Sequence, residues 1–121
     1  MTRFTPEGWH TLTTRIVVAD AQGLVSFIRD VFDGTGDYSP ERPTVMAIGD
    51  SHLMISDEGN RAAMPAFLYV YVADADGTYK RAIKAGATTL EEPVDTPYGD
   101  RRAMVTDQWS NVWQIATWRP K

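Results

Sequence analysis

The chain predicts an α+β fold built from two tandem β-α-β-β-β modules. Three observations carry this. The phrase "VADAQG" at 18–23 returns as "VADADG" at 72–77, matching at five of six positions. A strand-like run precedes each copy, and apolar residues at helical spacing follow each copy. The elements after each copy then come in the same order, which is the mark of an internal duplication. The predicted organisation is a single domain over 1–121 with modules at about 10–56 and 67–118, joined by a connector at 57–66.

The first strand is read from "TLTTRIVV" (11–18), rich in β-branched residues. Asp20 then stands where a helix N-cap belongs, able to accept from free backbone N–H groups. Leu24, Phe27, Ile28, Val31 and Phe32 fall on one helical face. Two strands follow, "TVMAIG" (44–49) and "HLMIS" (52–56), with Gly49-Asp50-Ser51 as the tight turn between them. A weaker strand is expected before this pair, near 35–38.

The second module opens on "FLYVYV" (67–72), alternating in the manner of a strand. Asp74 repeats the capping role, and Ala75, Thr78, Tyr79, Ala82 and Ile83 hold the helical rhythm. Lys80, Arg81 and Lys84 sit in the later turns, where positive charge suits the helix dipole, and Gly86 is placed to end the helix. A weaker strand near 88–91 and two stronger ones, "RRAMVT" (101–106) and "VWQIATW" (112–118), complete the module.

Composition narrows function by exclusion. With 43% hydrophobic and 23% charged residues the chain has the make-up of a globular protein. Having no cysteine, it has no thiol nucleophile, no iron–sulfur cluster and no cysteine zinc site. Its net charge of −4, with no basic cluster beyond Arg101-Arg102, argues against a nucleic-acid partner. No segment reaches the about 20 apolar residues of a membrane helix, so no membrane partner is expected. "MTRFTPEGWH" has no apolar signal core, and a cytoplasmic protein is expected.

The run "YVADADGTYKRAIKAGATTLEEPVDTPYGDRRAMVTDQWSNVWQIAT" resembles the C-terminal module of the vicinal oxygen chelate, or glyoxalase/bleomycin-resistance/dioxygenase, superfamily. That family pattern runs from a strand ending in Asp, through a helix ending "AGA" and a "P…YGDR" loop, to "D-P-F-G-N-x-W". The first half is similar more loosely, through "VVADAQGLVSFIRDVF" and "GDSHLMISDE". The resemblance implies paired modules whose strands form a cupped mixed sheet, and commonly a homodimer. One departure stands out. Gln108-Trp109-Ser110 occupies the Pro-Phe-Gly place, leaving this turn without its proline and glycine and Trp109 more exposed than its counterpart.

The resemblance also implies where a divalent metal would sit: on His or Glu side chains from the first and last strand of each module. Counting seven residues back from Asp20 and Asp74 gives Thr13 and Phe67. The last strands offer Gln114 in the second module and Met54 or Ser56 in the first. None is a histidine or a carboxylate. All sixteen acidic residues are read as lying in caps, helices, loops or turns, with none inside a strand. His10 should point away from Thr13's side of its strand, and His52 stands alone beside a turn. No metal and no cofactor are therefore expected.

With the family's ligand places marking the concave face, alternation puts Gln114 there and turns Trp113 and Ile115 to the helices. Phe67, Tyr69 and Tyr71 share that face, and Thr13 and Arg15 join it from the first strand. Met46, Met54, Met104, Tyr98, Trp9 and Trp109 are expected at its rim. Any one of these aromatics alone reads as ordinary core, but aromatic walls with a few polar anchors are the stuff of organic-ligand pockets. The residues expected to bind a ligand are Thr13, Arg15, Phe67, Tyr69, Tyr71, Met104, Trp109 and Gln114. Arg15, read as buried without a strand carboxylate, should seek an anionic or carbonyl partner, either a ligand or a loop acid such as Asp100 or Asp107.

Two functions compete. One is a metal-independent protein that binds a small, largely apolar or aromatic molecule, as the drug-sequestering members of the family do. The other is a superfamily enzyme, of lyase, isomerase or dioxygenase type, with or without a divalent metal. Lacking a metal, it would hold its substrate with Arg15, Tyr69, Tyr71 or Gln114. General base catalysis wants a group with a pKa near working pH, and this reading finds none on the concave face, which favours binding. A ferredoxin-like interaction module is the reading left if the repeat is fortuitous.

Overall fold

The structure is a computed structural model and describes residues 4–120; residues 1–3 and 121, included in the expected domain, lie outside the described residues. It is an α+β fold with two helices and two sheets among those residues. Its contacts divide it into two compact units, residues up to 29 with 33–64, and residues 30–32 with 65 onward.

The first unit holds β1 (Thr14–Val18), most of α1 (Ala21–Phe32), β2 (Thr44–Ile48) and β3 (Ser51–Asp57). The strands lie in the order β1-β3-β2, with β1 parallel and β2 antiparallel to the central β3. Ile16, Val18, Leu24, Ile28, Leu53 and Ile55 are buried as its core. Met46, expected at a ligand rim, is fully buried. It pairs with Leu53 and therefore shares the core side of β2, while its neighbour Val45 is exposed. The weak strand expected near 35–38 is reduced to one bridge, Thr35 to Ala47.

The second unit carries β4 (Phe67–Tyr71), α2 (Ala75–Lys84), β5 (Thr88–Asp95), β6 (Asp100–Thr106) and β7 (Val112–Trp118). Its order is β4-β7-β6-β5, with β4 parallel to β7 and the other pairs antiparallel. In both units the strand entering the helix is parallel to the last strand, so the chain must cross over between them, and each crossover includes the unit's helix. Helix α2 packs on β5, β6 and β7, and Ala103, Val105, Trp113 and Ile115 are buried.

The repeated phrase has a local physical reason. Asp20 Oδ1 accepts from Gly23 N at 3.0 Å, and Asp74 Oδ1 accepts from Gly77 N at 3.1 Å. Aspartate and glycine three residues apart form the cap in each copy. At Gly77 a Cβ would stand 2.5 Å from Asp74 Oδ2, so only glycine leaves the carboxylate room to close on its N–H.

Two expectations about strands are corrected. β1 begins at Thr14, leaving Thr13 just outside it. β5 runs to Asp95, not to 91, and carries Glu91, Glu92 and Asp95, so acidic residues do lie within a strand. It is the edge strand of its sheet, with register shifts either side of Glu91 and with Pro93 inside it. An edge strand tolerates charge and proline because one of its sides has no ladder to satisfy.

The 107–111 turn closes without its proline and glycine. Ser110 takes φ 71°, the left-handed position that glycine adopts without strain, and its side chain makes no hydrogen bond to another described residue. Trp109 is half-buried. Ser110→Gly should therefore raise stability by about 0.5–1 kcal/mol, since relief of the left-handed strain outweighs the added unfolded-state entropy. Urea unfolding measures it, and a loss of stability would contradict the strain.

Candidate functional site

On the second unit's sheet, alternation leaves one face to α2 and opens the other. Register aligns Tyr69, Gln114, Met104 and Glu91 in one row across all four strands. Phe67, Val112, Thr106 and Thr88 form the row to one side, and Tyr71, Ala116, Arg102 and Val94 the row to the other. Phe67 is 70% exposed, Tyr69 38% and Tyr71 61%. The rings of Tyr69 and Tyr71 lie 5.3 Å apart at 56°, an attractive tilted contact. Gln114 is half-buried and makes no side-chain hydrogen bond to another described residue, so its amide is open to a ligand.

A polar chain that the sequence reading missed crosses this face. Arg102 Nε donates to Glu91 Oε1 at 2.9 Å, and its Nη1 donates to Tyr98 Oη at 2.6 Å. Tyr98 Oη and Tyr69 Oη are 3.4 Å apart. Tyr69 Oη donates to Asp100 Oδ2 at 2.6 Å, and Tyr71 Oη donates to the same oxygen at 3.0 Å. The direction of the chain follows from its ends. A guanidinium only donates and a carboxylate only accepts. Tyr69 gives its proton to Asp100, so Tyr98 must be the donor to Tyr69.

Burial first, then the hydrogen bond to Asp100, pushes the Tyr69 phenol well above the ordinary tyrosine range. The Asp100 bond first, then burial, raises Tyr71. Both therefore stay protonated at neutral pH and are poor proton acceptors. Glu91 raises Arg102 and fixes its charge.

The other expected site residues fall out differently. Met104 is on the same face, half-buried between Gln114 and Glu91 in register. Trp109 belongs to the 107–111 turn, and its N–H donates to Asp107 Oδ1 at 2.9 Å. Thr13 and Arg15 lie in the first unit, Thr13 half-buried. Arg15 is not buried, as expected, but exposed, and its Nη2 donates to Ser56 Oγ at 3.1 Å. It pairs with neither Asp100 nor Asp107. The long side chain simply reaches water along a strand whose inward positions are Ile16 and Val18. His52 has the Trp9 ring stacked on its own at 4.1 Å and 5°.

The donor set does not fit a divalent metal. Phe67 has no donor atom, Gln114 is an amide and Thr13 a hydroxyl, whereas such sites want histidine or carboxylate ligands converging. Among the described residues no three of His, Asp and Glu gather in a way that could hold an ion. Likewise, no described helix is long and apolar enough to cross a membrane.

Asp100 is legible in the sequence as part of the "YGDR" loop and as a loop acid for Arg15, not as the partner of the tyrosines. What brings it into the site is β6 starting one residue earlier than 101 and the tyrosines reaching it from β4.

The model of the Glyoxalase/Bleomycin resistance protein/Dioxygenase superfamily matches residues 10–115. An uncharacterized protein of Mycobacterium bovis is 25% identical over 122 residues, covering 86% of this chain and 80% of its own length. Among solved structures, TioX from Micromonospora sp. ML1 superposes with a TM-score of 0.76 at 20% identity, over 89% of this chain and 98% of that one. The fosfomycin resistance protein FosX from Mesorhizobium loti gives 0.67 at 23% identity, over 93% of each chain.

Proposed function

Since the chain belongs to the glyoxalase/bleomycin resistance protein/dioxygenase superfamily, we propose that it binds a small, largely apolar or aromatic molecule, without a metal, on the open face of the second unit's sheet. The observation that carries this is the exposed run Phe67, Tyr69 and Tyr71 on one strand, beside the amide of Gln114, which bonds no other described residue. Three aromatic side chains left exposed in a row cost solvation unless something covers them. Stacking rings with one amide anchor suit a planar guest. The name of FosX, a resistance protein, is in keeping with a role in drug binding.

Binding is favoured over turnover by the state of the polar groups. The two phenols hold their protons, and Asp100 already accepts both of them. The carboxylates of this face are likewise engaged, Glu91 with Arg102 and Asp100 with the two phenols, which favours holding a guest over taking its proton.

A calorimetric screen against planar aromatic compounds tests the reading, with Phe67→Ala and Gln114→Ala as variants. Hits should weaken by about 1–3 kcal/mol in each variant, while urea midpoints move little because both residues face outward. Loss of fold without any hit in the screen would sink it.

A further inference from the structure

We infer that the molecule bound on this face is a planar organic cation carrying an N–H donor. This rests on the binding reading above and adds its charge. Asp100 is 3% exposed and bonds no Arg, Lys or His among the described residues. Its side chain is held only by the Tyr69 and Tyr71 hydroxyls, so its negative charge stands uncompensated beneath the open face. The remaining charges on the face cancel, because Arg102 is spent on Glu91 and on the Tyr98 oxygen.

The hydroxyls carry that charge outward. Each phenol proton points inward at Asp100, so each oxygen turns its lone pairs away from the carboxylate. Tyr69 Oη also receives Tyr98, but Tyr71 Oη accepts from no described residue. A ligand therefore meets an acceptor, not a donor, at Tyr71. An acceptor polarised by a carboxylate favours a charged N–H donor. The rings of Phe67, Tyr69 and Tyr71 add their negative faces, which attract cations, most strongly away from bulk water. An anionic guest would meet repulsion from Asp100 and no free donor on these tyrosines.

A matched series separates charge from shape: 2-naphthylmethylammonium, 2-naphthylmethanol and 2-naphthoate, titrated calorimetrically into the full chain at pH 7. The ammonium compound should bind at least tenfold tighter than the alcohol, with naphthoate weakest, and its affinity should fall with added salt. Asp100→Asn keeps an acceptor oxygen but removes the charge, and should cut the cation's advantage over the alcohol to under threefold. Should that variant fail to fold, Tyr71→Phe keeps the ring, removes the acceptor and should cost the cation selectively. Equal or tighter binding of the alcohol or naphthoate would overturn the charge assignment and leave the binding face standing. Binding of none of the three in the wild-type chain would overturn both.

Discussion

Asp107→Ala should cost about 3–5 kcal/mol, a large share of the 5–15 kcal/mol that holds a domain together. Asp107 is a buried acceptor with four donors on it. Its Oδ1 takes Trp109 N at 2.9 Å and Asn111 N at 3.0 Å, and its Oδ2 takes Asn111 Nδ2 at 3.0 Å and Trp113 Nε1 at 2.8 Å. Asn111 and Trp113 are themselves fully buried, so three of these donors lose their partner where water reaches poorly. Each buried donor left unmade costs about 1–3 kcal/mol, and partial relaxation keeps the total below the simple sum. The damage also spreads, because Asn111 Oδ1 accepts from Ala66 N at 2.9 Å and so ties the start of β4 to this turn. Asp107→Asn should fall between, since its amide nitrogen would face a donor. Urea unfolding with an unchanged m-value is the measurement. A loss under about 1 kcal/mol for Asp107→Ala would mean that water replaces the carboxylate and that the turn is not held from within.

Asp107 also shows what can be read from a sequence and what cannot. A residue acting on its near neighbours declares itself. Asp20 and Asp74 meet the third residue on, so the spacing of Asp and Gly already specifies the cap. Alternation in β7 likewise separates buried Trp113 and Ile115 from Gln114 before any contact is known. Asp100 does not declare itself, because its partners stand 29 and 31 residues away on β4. A loop acid and a strand of tyrosines become one site only when sheet order puts β4 and β6 either side of β7. β5 was hard to see in full because Glu and Pro disfavour strands in general, while an edge position with register shifts accepts them. Arg15 was misplaced for a related reason: alternation gives a side chain's face but not whether that face is covered.

Trp113→Ala should cost about 3–5 kcal/mol, while the adjacent Gln114→Ala should cost under about 0.5 kcal/mol. The two residues share one strand, and only the pleat separates them. Trp113 is fully buried, with its ring 4.8 Å from Phe32 and its Nε1 on Asp107. Truncation removes the largest side chain among the fully buried ones, opens a cavity and strips a donor from a buried carboxylate. The strand cannot collapse to fill the space, because β7 is paired on both sides, to β4 and to β6. Gln114 makes no side-chain hydrogen bond to a described residue, and its removal leaves no buried group unsatisfied. Its cost belongs instead to ligand affinity. Urea unfolding of the two variants side by side therefore tests which face of β7 is core and which is open. Losses within about 1 kcal/mol of each other would mean that the pleat does not divide the strand this way, and Tyr69, paired with Gln114 in register, would lose its place on an open face.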